Sequence, residues 1–146
     1  MSTPEGSTKV ESKNTIAFMA RVGKKISLPG DLYEMITAKG KNVLCIIPND
    51  IKKIVLFPTN AESGLYAKIN LRRENRLDDS FFLALREQLV KFKVNTLFTT
   101  GVCMEHVDCY WEGVLEYNDD FPLEDFKKAI LSIQNVVSVR FNILKP

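Results

Sequence analysis

Leu65-Tyr66-Ala67-Lys68-Ile69-Asn70-Leu71-Arg72 alternates apolar and polar residues one by one, and this alternation decides the fold. A strand points successive side chains to opposite faces, so Leu65, Ala67, Ile69 and Leu71 share a buried face. Asn75-Arg76-Leu77-Asp78 breaks the pattern. From Asp79, a suitable N-cap, Phe82, Leu85, Leu89 and Phe92 recur at spacings of 3, 4 and 3, which predicts one face of an amphipathic helix. Thr96 to Val102 and Tyr110 to Tyr117 are rich in Thr, Val and aromatics, as two strands of a hairpin would be. Pro122 suits a first helical position, with Glu124 and Asp125 favourable near a helix N-terminus. Leu123, Phe126, Ile130 and Ile133 repeat the helical spacing, and Val137 to Ile143 alternates again. The order predicted over Leu65 to Leu144 is β-α-β-β-α-β, the split-βαβ or ferredoxin-like arrangement. Both helices would cover one sheet face and leave the other for a partner.

Upstream, residues 15–59 read as a smaller β-rich module. Thr15 to Ala20 and Lys25 to Leu28 look like short strands, Leu32 to Ile36 like a short helix, and Lys39-Gly40-Lys41-Asn42 like a turn. Val43 to Ile47 and Ile51 to Phe57 form two strands around Pro48-Asn49-Asp50, a typical turn cluster. So few strand residues bury too little surface to stand alone, so dimerisation or packing on the second module is expected. Residues 60–64 read as a linker. Residues 1–14 hold almost nothing apolar and read as a disordered tail, without the apolar centre of a signal peptide.

The 146 residues are 45% hydrophobic and 26% charged, a soluble globular composition, and no run of eighteen apolar residues suggests a membrane span. Net charge is +2, too small to announce nucleic-acid binding by itself. Its distribution is uneven: residues 15–62 carry seven Lys/Arg against four Asp/Glu, and residues 63–146 carry eleven against twelve. Three cysteines, Cys45, Cys103 and Cys109, are expected as reduced thiols in a cytoplasmic protein. Cys103, His106 and Cys109 have zinc-ligand chemistry, but a fourth ligand would have to come from Cys45, Glu105 or Asp108. The reading taken is a hairpin loop with two semi-buried cysteines, with no metal and no cofactor. No Gly-rich phosphate loop or His-Glu-x-x-His run is present, and His106 is the only histidine. An enzyme is not expected.

Lys25-Ile26-Ser27-Leu28-Pro29-Gly30-Asp31, followed by Lys39-Gly40-Lys41-Asn42-Val43-Leu44, resembles the AbrB/MazE-like swapped-hairpin family. The resemblance implies an intertwined dimer that contacts DNA through Arg21, Lys24 and Lys25. Family members usually place Gly directly before the basic residue preceding the Ile; here Lys24 stands there. Residues 65–146 resemble the ACT domain, a dimerising βαββαβ unit that often binds amino acids. That resemblance implies a ligand-binding corner at Arg73, Asn75, Arg76 and Asp78, although Leu77-Asp78 replaces the family's usual Pro-Gly. The combined expectation is an α+β homodimeric transcription regulator that binds DNA and senses a small molecule or sets the oligomeric state. The alternative is an adaptor or regulatory subunit that acts through protein partners.

Overall fold

The computed structural model describes residues 9–11, 16–18, 30–48, 52–72, 77–103 and 109–146. The chain divides into two compact units, Met1–Met35 and Ile36–Pro146. In the first unit, β1 (Lys9–Glu11) pairs antiparallel with β2 (Ile16–Phe18), Lys9 standing opposite Phe18. This strand lies inside the stretch whose composition predicts a disordered tail. Strand pairing satisfies backbone groups, and composition does not register it. The second expected strand, Lys25 to Leu28, falls outside the described residues.

Helix α1 (Gly30–Lys39) is longer than the predicted Leu32 to Ile36. It ends at Gly40, whose N–H reaches Ile36 O at 3.2 Å. Gly40 is buried, and a Cβ there would run into the Thr59 backbone. Glycine therefore permits a close approach between the start of β3 (Asn42–Ile46) and the end of β4 (Val55–Thr59). These two strands form an antiparallel hairpin with Leu44 opposite Phe57 and Cys45 opposite Leu56.

The remaining elements are β5 (Ser63–Leu71), α2 (Asp79–Lys91), β6 (Thr96–Val102), β7 (Tyr110–Tyr117), α3 (Leu123–Leu131) and β8 (Val136–Leu144). All four strands are antiparallel to their neighbours, in the order β6-β7-β5-β8. The fold is α+β, and the β-α-β-β-α-β order with β5 and β7 central matches the expected ferredoxin-like arrangement. β5 begins at Ser63, inside the stretch read as a linker.

Alternation builds the core as predicted. Leu65, Ala67, Ile69 and Leu71 of β5 and Trp111, Leu115 and Tyr117 of β7 are buried with Phe81 and Leu85 of α2 and Phe126 and Ile130 of α3. Burying an aromatic or branched side chain contributes roughly 1.5–3 kcal/mol, so this shared face supplies most of the driving force. The Phe126 ring meets Phe92 at 5.2 Å, Phe121 at 5.3 Å and Phe141 at 5.7 Å.

Helix α2 departs from its predicted face in one place: Phe81 is buried and Phe82 is 43% exposed. The cap explains the offset. Asp78, not Asp79, is the N-cap, and its carboxylate accepts from the Phe81 N–H at 3.0 Å. Phe82 then lies beside the buried stripe and meets Phe81 edge-on at 5.5 Å. Pro122 is likewise the N-cap of α3 instead of its first helical residue.

Candidate functional site

Of the residues expected to hold a ligand, only Asp78 lies among the described ones; Arg73, Asn75 and Arg76 lie outside them. Asp78 is occupied by structure. One carboxylate oxygen accepts from both the Phe81 N–H and the Ser80 hydroxyl, at 3.0 and 2.7 Å. The Phe81 backbone bond, then the Ser80 hydroxyl, hold this carboxyl below its ordinary value. A carboxylate in that position stabilises the helix start. Arg72, just before this corner, is exposed, and its backbone N–H bonds to Asn135 O at 2.9 Å. The expected DNA contacts Arg21, Lys24 and Lys25 also lie outside the described residues.

The cysteines overturn an expectation. Cys103 and Cys109 are joined in a disulfide, and Cys45 is the free, exposed one. The strand register provides the reason: Val102 pairs with Tyr110, so the next residues outward face each other, with Cα atoms 4.2 Å apart. Two sulfurs in a disulfide have no thiolate to give a metal. No group of three or more metal-ligating side chains occurs among the described residues, and His106 lies outside them.

A surface feature that strand alternation could have revealed lies on the β3–β4 hairpin. Its inner line contains Leu44 and Phe57, and the Phe57 ring meets Phe98 of β6 at 6.1 Å. Thr59 anchors the same end by donating its hydroxyl to Glu116 Oε1 at 2.7 Å. Asn95 donates to the other Glu116 oxygen at 3.0 Å. The outer line holds Val43 and Cys45 on β3 and Leu56 on β4, with Pro58 opposite Val43. Ile47 and Ile54, just beyond the ladder, are 67% and 59% exposed. No charged side chain interrupts this outer face between Val43 and Ile47 or at Ile54 to Pro58. The outer face therefore leaves neighbouring apolar side chains exposed to solvent.

On the sheet face turned away from α2 and α3, polar side chains group around Tyr66, Lys68 and Asn70. Tyr66 on β5 donates its hydroxyl to Glu112 Oε2 on β7 at 2.7 Å. Burial first, then the hydrogen bond and negative charge of Glu112, push the Tyr66 phenol up to about 12, against the opposing pull of Arg140. The Lys68 ammonium sits 4.2 Å from the centre of the Tyr110 ring, and Asn70 donates to Ser138 Oγ at 2.9 Å. These side chains satisfy one another across strands, so they read as a surface brace.

No family model matches the chain, and no curated protein matches it. Among solved structures, the chain is similar to the chemotaxis kinase CheA P2 domain in complex with response regulator CheY from the thermophile Thermotoga maritima. The identity is 19% and the TM-score 0.43, with 56% of this chain and 98% of that chain covered. A similarity of that size says nothing about what this chain binds. No helix among the described residues is long and apolar enough to cross a membrane.

Proposed function

We propose that the protein is a homodimeric DNA-binding regulator, without enzymatic activity, whose β3–β4 hairpin forms half of a swapped-hairpin dimer. The observation that supports this reading is the uncharged outer face of that hairpin, with Val43, Cys45 and Leu56 open to solvent. A two-stranded hairpin covered on one side only is marginal in water. A second copy presents the same apolar face, and a two-fold axis makes such a surface self-complementary. Dimerisation also brings Arg21, Lys24 and Lys25 of each chain into one assembly and doubles the charge available to a phosphate backbone. The βαββαβ domain then serves assembly or the sensing of a small-molecule effector, with Arg73, Asn75 and Arg76 the residues proposed to meet it.

The test is a gel-shift series on duplex fragments at graded salt. Six neutralised phosphates give a log-affinity against log-salt slope of roughly −5. Replacing Arg21, Lys24 and Lys25 with Ala should remove the shift while leaving the dimer intact. Absence of any shift at low salt, from a folded dimer, overturns the DNA-binding reading.

A second reading, an adaptor acting through protein partners, is favoured by one specific observation. Leu83 and Val90, two turns apart on α2, are 60% and 69% exposed. One stoichiometric protein partner recovered without nucleic acid, and lost with Leu83→Lys, would select this reading over the first.

A further inference from the structure

The Cys103–Cys109 disulfide has no part in the reading above, yet its surroundings are unlike those of an inert staple. Its two ends differ in access: Cys103 is exposed, whereas Cys109 is 5% exposed and belongs to the core cluster. The end more open to an attacking thiolate is therefore Cys103. β6 and β7 are also laddered up to the bond, from Thr96 opposite Leu115 to Val102 opposite Tyr110.

Both ends connect to the corner between β5 and α2. The Cys109 carbonyl accepts the Leu71 N–H at 3.0 Å, where β5 ends. Gly101, two residues before Cys103, lies so close to Leu77 that a Cβ there would stand 2.6 Å from Leu77 Cδ1. Leu77 immediately precedes Asp78, the N-cap of α2. The disulfide thus joins two strand ends that touch this corner, at the Leu71 amide through Cys109 and at the Leu77 side chain through Gly101.

We infer that Cys103–Cys109 is a thiol–disulfide exchange site that takes low-molecular-weight thiols and disulfides of the glutathione class, and whose redox state sets how firmly Leu71 and Leu77 are held. In the reductive direction a small thiolate attacks Cys103 Sγ, forming a mixed disulfide, and Cys109 leaves as a thiolate that takes up a proton. A second small thiolate attacks the small-molecule sulfur of that mixed disulfide and releases Cys103 as a thiolate. The net change is two small thiols oxidised to one small disulfide and the protein disulfide reduced to two thiols. Oxidation by the small disulfide is the reverse. The inference is independent of DNA binding.

The test uses the full-length chain carrying Cys45→Ser, so that only the pair is counted. The protein is equilibrated in buffers of reduced and oxidised glutathione, quenched by alkylation and weighed, with far-ultraviolet circular dichroism recorded alongside. Alkylated thiols should pass from none to two with the secondary structure retained. Hydrogen exchange at the Leu71 amide should be on the order of tenfold faster in the reduced protein, while Ile69 stays protected. Cys103→Ser, a surface change, should reproduce the reduced exchange pattern, which keeps the test valid if Cys109→Ser fails to fold. A disulfide that does not form in oxidised glutathione overturns the inference. So does one that opens only with global unfolding, or an exchange rate at Leu71 that is the same in both states.

Discussion

Tyr66 shows how a single residue on the polar sheet face records its surroundings. Its phenol is pushed up to about 12 by burial first and by Glu112 second, so the folded state favours the neutral form. For a group raised above its unfolded value of about 10, the stabilisation is complete below pH 10 and is lost as pH rises through the folded value. An ultraviolet titration should show a late tyrosine component ionising near pH 12. Tyr66→Phe should delete that late component, and Glu112→Gln should move it to lower pH by removing the neighbouring charge. A late component that survives Tyr66→Phe would reassign the shift. Asp78 runs the opposite way: its carboxyl is held low, so its contribution is present above the ordinary carboxylate range and fades as pH falls through the folded value. Asp78→Ala should lower the melting temperature at pH 7 while Asp78→Ser, another good cap, largely preserves it. Equal losses from both would return Asp78 to a role outside the helix cap.

At the scale of elements, α3 was the most legible. Phe126 and Ile130 share one face of α3 and are buried, and Ile133, just beyond the helix end, is buried with them. Phe126 is 1% exposed and touches three aromatic rings, so Phe126→Ala should cost about 3–5 kcal/mol, measured by chemical denaturation. A cost under about 1 kcal/mol would mean the neighbours collapse into the space. Helix α2 was less legible, because spacing alone allows both Phe81 and Phe82 to begin the apolar stripe. Only the cap geometry at Asp78 selects Phe81, and a run of two aspartates hides which one caps. The disulfide was legible in principle. Two strands ending at Val102 and starting at Tyr110, once paired across, put Cys103 opposite Cys109. An expectation about compartment took precedence over that register. Closing so short a loop restrains the unfolded chain by about 2 kcal/mol, so Cys103→Ser should lower the denaturation midpoint relative to the oxidised protein. It should leave the reduced protein nearly unchanged; equal loss in both would assign the effect to packing at Cys103.

At the scale of the whole molecule, two apolar surfaces among the described residues bear on assembly. One is the helix-facing side of the four-stranded sheet, which α2 and α3 cover. The other is the outer face of the β3–β4 hairpin, where alternation in both strands predicts an apolar line but nothing local predicts its cover. Hydrophobic period reports which residues share a face; it does not report whether the same chain or another one buries it. A self-complementary dimer accounts for the outer face with no further partner. At micromolar concentration the chain should then sediment at twice its 16.6 kDa mass. Leu56→Glu places a charge at the centre of the outer face, opposite Cys45, where a dimer would have to desolvate it. That variant should sediment as a monomer while Trp111, buried in the other core, keeps its fluorescence maximum. The monomer should also lose DNA at salt concentrations where the parent binds, since halving the cations roughly halves the salt-dependent part of the affinity on a logarithmic scale. A parent chain that stays monomeric at high concentration, or a Leu56→Glu chain that still dimerises, would place the dimer contact elsewhere and remove the support this face gives to the swapped-hairpin reading.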